Sequence, residues 1–365
     1  MIKPASALCN LRCKYCFYED VSKRRSDDCF GVMEQDTANR ILDNVFDSLD
    51  EKDAVSFVFQ GGEPTLAGLS FFRDFVLAVQ RRNRGVKVSY SLQTNGTLIS
   101  DEWCVFLKKY DFLVGLSLDI IPKIHNEYRV DALGYGSFGA VSDARALFEK
   151  YGVEYNVVAV LTNELSKHSE EVWDYLEKED IKFVQFIPCL GRMDGEKSPF
   201  QLEPVGFARF YTKLFMLWRA CLMQGKYRSV KLFDDLMGLL MYGTESACGL
   251  TGKCSPQIVV ESDGRVFPCD FYALDEYCVG NLVGERLETV YNNAVKATIF
   301  AKAQKLPDIC GNCLYLKICH GGCRRMREEV CGAADADVCG YRMFLEETMP
   351  EIHQVVSLIK GDAFF

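Results

Sequence analysis

From residue 54 to residue 187 the chain repeats one pattern: a short apolar, β-branched run followed by an amphipathic stretch with apolar residues at helical spacing. Strand-like runs lie at 54–60, 86–93, 112–118, 154–161 and 181–187, and a short extended start at 2–5 makes six. Helix-like stretches at 35–49, 70–82, 101–110, 138–151 and 169–178 alternate with them. Alternating β and α predicts a parallel sheet with right-handed crossovers. A closed barrel of this type has eight units. The expected fold is therefore α/β, a partial (β/α)6 barrel with its chemistry at the C-terminal ends of the strands.

A polar, turn-rich segment at 191–204 reads as a loop, and helical patterns follow at 207–224 and 230–241. From Cys248 onward cysteines become dense. Residues 258–261 and 265–268 predict a β-hairpin turning at Asp263-Gly264. This divides the chain into a barrel at 1–224, a Cys-rich domain at 225–345 and a C-terminal helix and tail at 346–365, with helical periodicity near 341–359.

Seventeen cysteines are many for a chain of 365 residues with no apparent export segment. Cys9, Cys13 and Cys16 sit in the tight run Cys-Asn-Leu-Arg-Cys-Lys-Tyr-Cys. Three thiolates can hold three irons of a [4Fe–4S] cube and leave the fourth open to a ligand, unlike a four-thiolate electron carrier. Structural zinc wants a fourth donor, which this trio lacks nearby. A second group comprises Cys248, Cys254 and Cys269, and a third Cys310, Cys313, Cys319, Cys323 and Cys339. These eight suffice for two fully ligated four-iron clusters, and equally for two zinc sites. Cys29, Cys104, Cys189 and Cys221 are scattered and read as buried, inert thiols, whereas Cys278 and Cys331 lie near the dense sets but outside their pattern.

The formal net charge of −9 and the lack of a basic stripe argue against nucleic acid. No apolar run reaches the ~18 residues of a membrane span. The expectation is a soluble, cytoplasmic protein, and a monomer, since no heptad pattern is visible.

The Cys-x3-Cys-x2-Cys run resembles the signature of radical S-adenosylmethionine (SAM) enzymes. Gly61-Gly62-Glu63-Pro64, after the second strand-like run, is similar to the motif that binds the amino group of SAM in that family. Glycines let backbone approach a ligand, and Glu63 offers a negative partner for an ammonium. By the same resemblance Gln93, Ser117, Asp119 and Arg129 contact the SAM carboxylate and ribose. The later cysteines resemble the SPASM extension of radical SAM peptide maturases. That implies auxiliary cluster I on Cys248, Cys254, Cys269 and Cys323, and cluster II on Cys310, Cys313, Cys319 and Cys339, for three [4Fe–4S] clusters in all.

The match narrows further. Segments 2–6, 16–18, 59–68, 91–97, 259–264 and 268–272 look like the anaerobic sulfatase-maturating enzymes, which oxidise a Cys or Ser in a sulfatase to Cα-formylglycine. The resemblance implies Asp270 as general base on the substrate thiol or hydroxyl, and Tyr18 and Gln60 near the substrate. It also implies a protein or peptide substrate and an external electron donor such as flavodoxin or ferredoxin. Related maturases on this scaffold crosslink ribosomally made precursor peptides, the alternative function. One departure stands out: Ile120-Ile121 replaces the Gly-Pro usual after the aspartate matching Asp119. Because isoleucine resists positive φ, this loop is expected to take a different path.

Overall fold

A computed structural model describes residues 1–244, 248–297, 306–333 and 336–361. Strands β1 (Ala54–Phe59), β2 (Lys87–Thr94), β3 (Phe112–Ser117), β4 (Tyr155–Leu161), β5 (Phe183–Pro188) and β6 (Ser229–Val230) form one six-stranded sheet in sequence order. The pairings β1–β2, β2–β3, β4–β5 and β5–β6 are parallel. Helices between the strands run over Gly68–Arg82, Asp101–Lys109, Phe138–Tyr151 and Ser169–Lys178, within two residues of the periodicity that predicts them.

The apolar stripe of helix Gly68–Arg82 shows why the pattern was readable. Phe71, Phe72, Phe75, Val76, Ala78 and Val79 are buried. Phe72 and Phe75 meet Phe59 of β1 edge-to-face, with centroids 4.9 and 5.1 Å apart. Such pairs fix the helix on the strand beyond what burial alone contributes.

The sixth strand is not where the sequence placed it. In the segment 2–5, Ile2 alone makes isolated bridges, to Phe59 and to Val260. The sixth strand is Ser229–Val230, paired with Phe183 and Val184 of β5, and the helix expected from 230 starts at Lys231. Two residues have no measurable period, so only pairing could reveal this strand.

The chain divides into two compact units. The first comprises Met1–Ser117, Asn126–Tyr155 and Ser255–Ala303; the second comprises Leu118–His125, Asn156–Cys254 and Gln304–Phe365. In the first, the predicted hairpin forms from β7 (Val259–Val260) and β8 (Arg265–Phe267), with Val260 opposite Val266. Ile2 sews it to β1: its N–H donates to Val58 O at 2.7 Å, and Lys3 N–H donates to Val260 O at 2.8 Å. In the second, helices Pro204–Met223, Lys231–Tyr242 and Gly340–Lys360 bury an aromatic cluster that includes Tyr211, Phe215, Trp218, Phe233 and Phe344. Among the described residues no helix is long and apolar enough to cross a membrane.

Candidate active site

The cysteine trio lies on a loop held by backbone bonds to residues 128–130. Arg12 N–H donates to Val130 O at 2.6 Å and Lys14 N–H to Tyr128 O at 3.0 Å. This brings Arg129 alongside, its guanidinium donating to Tyr15 Oη at 3.2 Å. Cys9 Sγ accepts from Leu11 N–H at 3.4 Å and from Asn95 Nδ2 at 3.9 Å. Burial pushes the Cys9 thiol up, with the Glu63 and Cys16 charges adding to the rise, while the Leu11 N–H and the Arg129 charge pull the other way. The latter two favour the thiolate that iron requires.

The end of β1 is locked onto this loop. Gly62 N–H donates to Ser6 O at 2.8 Å and Glu63 N–H to Leu8 O at 2.7 Å. A Cβ on Gly62 would stand 2.1 Å from Leu8 O, so only glycine fits this approach. Glu63 faces inward. Its Oε1 accepts from Thr65 N–H (3.1 Å), Thr65 Oγ1 (2.6 Å) and Thr94 Oγ1 (2.8 Å), and its Oε2 from Asn95 N–H (2.7 Å). Burial raises its pKa and those bonds oppose the rise. The carboxylate thus ties the end of β1 to the end of β2, and what the motif leaves for a ligand is bare glycine backbone.

Gln93 and Ser117, on adjacent strands, are joined by an Nε2–H donation of 3.0 Å. Asp119 belongs to the second unit. It is buried, its Oδ1 accepts from Val160 N–H at 2.9 Å, and its N–H donates to His125 Nδ1 at 3.2 Å. The following Ile120 adopts φ +59° and is fully buried. The β-branched residue thus accepts the left-handed conformation it was expected to resist, at a local cost of about 1–2 kcal/mol.

Asp270 opens a 3-10 turn, Asp270–Tyr272, just after β8. Its Oδ1 lies 2.5 Å from Lys3 Nζ, and its Oδ2 accepts from Gln60 Nε2 at 3.0 Å. Gln60 leads directly into Gly61-Gly62, so the carboxylate stands at the same strand end. Lys3 has 0% exposed side chain, and its ammonium also lies 3.4 Å from the centroid of the Tyr18 ring. Lysine is almost never buried so completely unless paired. Tyr18, only 4% exposed, donates its hydroxyl to Glu261 Oε1. Arg25 completes the network with bonds to Glu261 (2.9 Å), Tyr18 Oη (3.2 Å) and Ala273 O (2.6 Å).

Sequence reasoning gave no role to Lys3, Arg25 or Glu261. A lysine in an otherwise apolar start, Met1-Ile2-Lys3-Pro4-Ala5, was the one available signal.

In the second unit Cys310, Cys313, Cys319 and Cys339 line one cavity of about 10 Å³, together with Cys331. Cys248 and Cys323 line a second cavity, of about 140 Å³. Cys254 acts electrostatically on Cys323. Cys269, the remaining member of that set, belongs to the first unit. Among the described residues no three such side chains close on a single ion. A cube does not require it, since each thiolate takes a different iron. Sulfur-only donors gathered at a cavity suit such a cluster.

The radical SAM superfamily model matches residues 4–172, and that of an iron–sulfur cluster-binding domain, SPASM, matches residues 252–314. A cysteine-type anaerobic sulfatase-maturating enzyme of Clostridium novyi (strain NT) is 37% identical over 365 residues, spanning 98% of this chain and 97% of that one. The chain belongs to the anaerobic sulfatase-maturating enzymes. As a member of that family it is a radical SAM enzyme with [4Fe–4S] clusters, on a radical SAM domain followed by a SPASM domain. The solved structure of native anSMEcpe with bound AdoMet superposes with a TM-score of 0.88 at 37% identity, covering 98% of each chain. The same protein with bound AdoMet and Cp18Cys peptide also gives 0.88, at 36% identity, again over 98% of each chain.

Proposed function

We propose that this chain oxidises a peptidyl cysteine in a sulfatase to Cα-formylglycine. The observation that carries the reading is Asp270, held by Lys3 and Gln60 at the strand end that also presents Gly61-Gly62. The full-length similarity to a cysteine-type enzyme favours cysteine over serine.

Cys9, Cys13 and Cys16 would hold a [4Fe–4S] cluster that, with SAM, supplies radical hydrogen abstraction. Gly61 and Gly62 offer backbone to the amino group of SAM, while Gln93, Ser117, Asp119 and Arg129 serve its carboxylate and ribose. Glu63 shapes this cradle from behind. Asp270 takes the proton of the substrate thiol. Lys3 keeps the carboxylate in place, Gln60 holds its second oxygen, and Tyr18 supports Lys3 from below. Cys248, Cys254, Cys269 and Cys323 would hold one auxiliary cluster, and Cys310, Cys313, Cys319 and Cys339 another. The protein works as a cytoplasmic monomer fed by a flavodoxin or ferredoxin.

Anaerobic assay of Asp270→Ala with a cysteine-containing sulfatase peptide tests the reading. SAM cleavage should persist, while the ~18 Da mass loss of formylglycine formation vanishes. Full product yield would remove Asp270 from its role. A loss of ~2 Da in wild type, the mark of a thioether, would replace formylglycine with a crosslink.

A further inference from the structure

Two ion pairs lie buried in the first unit. Lys3 meets Asp270, and Arg25 meets Glu261 with no exposed side chain on either partner. A buried ion pair is a poor source of stability, because desolvating two charges offsets most of their attraction. Stability therefore does not account for Arg25 and Glu261, but their bonds do. The Arg25 guanidinium divides three ways: Nη1 donates to Glu261 Oε1 (2.9 Å), Nη2 to Tyr18 Oη (3.2 Å) and Nε to Ala273 O (2.6 Å). Ala273 caps the turn Asp270–Tyr272 that Asp270 opens. Tyr18, whose ring lies 3.4 Å from the Lys3 ammonium, donates to the same Glu261 oxygen. Arg25 thus grips both supports of Asp270, the far end of its turn through Ala273 and the Lys3 cation through Tyr18. Neighbouring links run the same way. Ser26 N–H donates to Asp275 Oδ2 at 2.7 Å, and Phe17 meets Phe271 edge-to-face with centroids 5.1 Å apart.

We propose that Arg25, held by Glu261, is a positioning residue for Asp270, and that its forked guanidinium fixes the turn carrying the base to the helix Phe17–Ser22, which Cys16 caps. The inference rests on the reading that Asp270 is the general base. Neither Arg25 nor Glu261 meets the reacting atoms. A base acts only within hydrogen-bond reach of the proton it takes, and misplacement by about 1 Å can cost about 10²-fold. Lysine at position 25 would keep the charge beside Glu261, but an ammonium lacks the planar fork that serves three acceptors in fixed directions.

The test is the formylglycine formed per 5′-deoxyadenosine released, measured anaerobically on full-length reconstituted protein with a cysteine-containing sulfatase peptide. Loss of folded protein lowers both products alike and leaves this ratio unmoved, whereas a misplaced base lowers the ratio. In Arg25→Lys the ratio should fall by about 10–100-fold. Amide exchange across residues 269–275, followed by mass spectrometry, should quicken in the same variant. A wild-type ratio or wild-type exchange would overturn the proposal. Arg25→Met/Glu261→Leu removes both charges, so that neither is left buried alone, and decides the matter by the same two measurements should Arg25→Lys fail to fold. Asp270→Ala separates this proposal from the reading beneath it. Full product yield there removes Asp270 as base, and the role of Arg25 with it. Lost product there, beside a wild-type ratio in the Arg25 variants, overturns the role of Arg25 alone.

Discussion

The end of β1 and the cysteine-rich part of the second unit hold their functional atoms by opposite means. At β1 every important side chain is bound by other protein groups. Glu63 accepts four hydrogen bonds, and Asp270 lies between Lys3 and Gln60. In the cysteine-rich part the helices around the sulfurs, Leu316–Cys319 and Arg327–Cys331, are four and five residues long. Helices that short have no stability of their own. There the sulfurs other than Cys339, which caps the 21-residue helix Gly340–Lys360, sit on turns and short helices, and a bound cluster would add to the fold as well as to the chemistry. The difference teaches that one site is preorganised by protein, while the other would draw on its cluster to stay in shape.

The largest contrast is expected from removing ligands. Cys310→Ala/Cys313→Ala should expose the 306–333 segment to limited proteolysis. Cys13→Ala/Cys16→Ala should abolish SAM cleavage and leave the proteolytic pattern of β1 to β3 intact. Equal sensitivity in both would break the comparison. Next comes Asp270→Ala, for which formylglycine production should fall by roughly 10²–10⁴-fold, the usual share of general-base catalysis, with SAM cleavage retained.

Lys3→Met leaves a buried carboxylate without its cation. Denaturant unfolding should report a loss of about 3–5 kcal/mol. A loss below about 1 kcal/mol would mean that water replaces the ammonium and that the site is less preorganised than the network implies. Glu63→Gln sets an amide nitrogen against the donors of Thr65, Thr94 and Asn95, at about 1–3 kcal/mol. It also carries a pH signature. The folded-state pKa of Glu63 is raised by burial, so its contribution is full below the ordinary glutamate value and is lost as pH rises through the raised one. That part of the decline should be absent from the Gln variant.

An effect of similar size is expected at Ile120→Gly. Relief of about 1–2 kcal/mol of left-handed strain opposes loss of a buried side chain worth about 2–5 kcal/mol. A net destabilisation of about 1–3 kcal/mol should appear in a melting curve. A more stable variant would show that strain, not packing, dominates this loop.

How much was legible follows from range along the chain. The apolar stripe of Gly68–Arg82 and the hairpin at Asp263-Gly264 are local patterns, and both were readable. So was the cysteine spacing, because ligand sets are written as short intervals. The two-residue strand Ser229–Val230 was not readable, since its identity comes from Phe183 and Val184 on β5. The inward turn of Glu63 was also hidden, because a Gly-Gly-Glu run does not say which face its carboxylate takes.

Composition, periodicity and cysteine spacing therefore sufficed for an α/β sheet, a cluster loop and a cysteine-rich domain, all set by interactions a few residues long. Pairings across long sequence separations arose only on folding. Lys3 meets Asp270 because Ile2 joins β1 to the β7–β8 hairpin, and Cys331 comes to the same cavity as Cys339 because the chain doubles back at Gly332. Both bring buried groups together where water is excluded. There a charge or a thiol needs a partner, and no local propensity in the sequence names it.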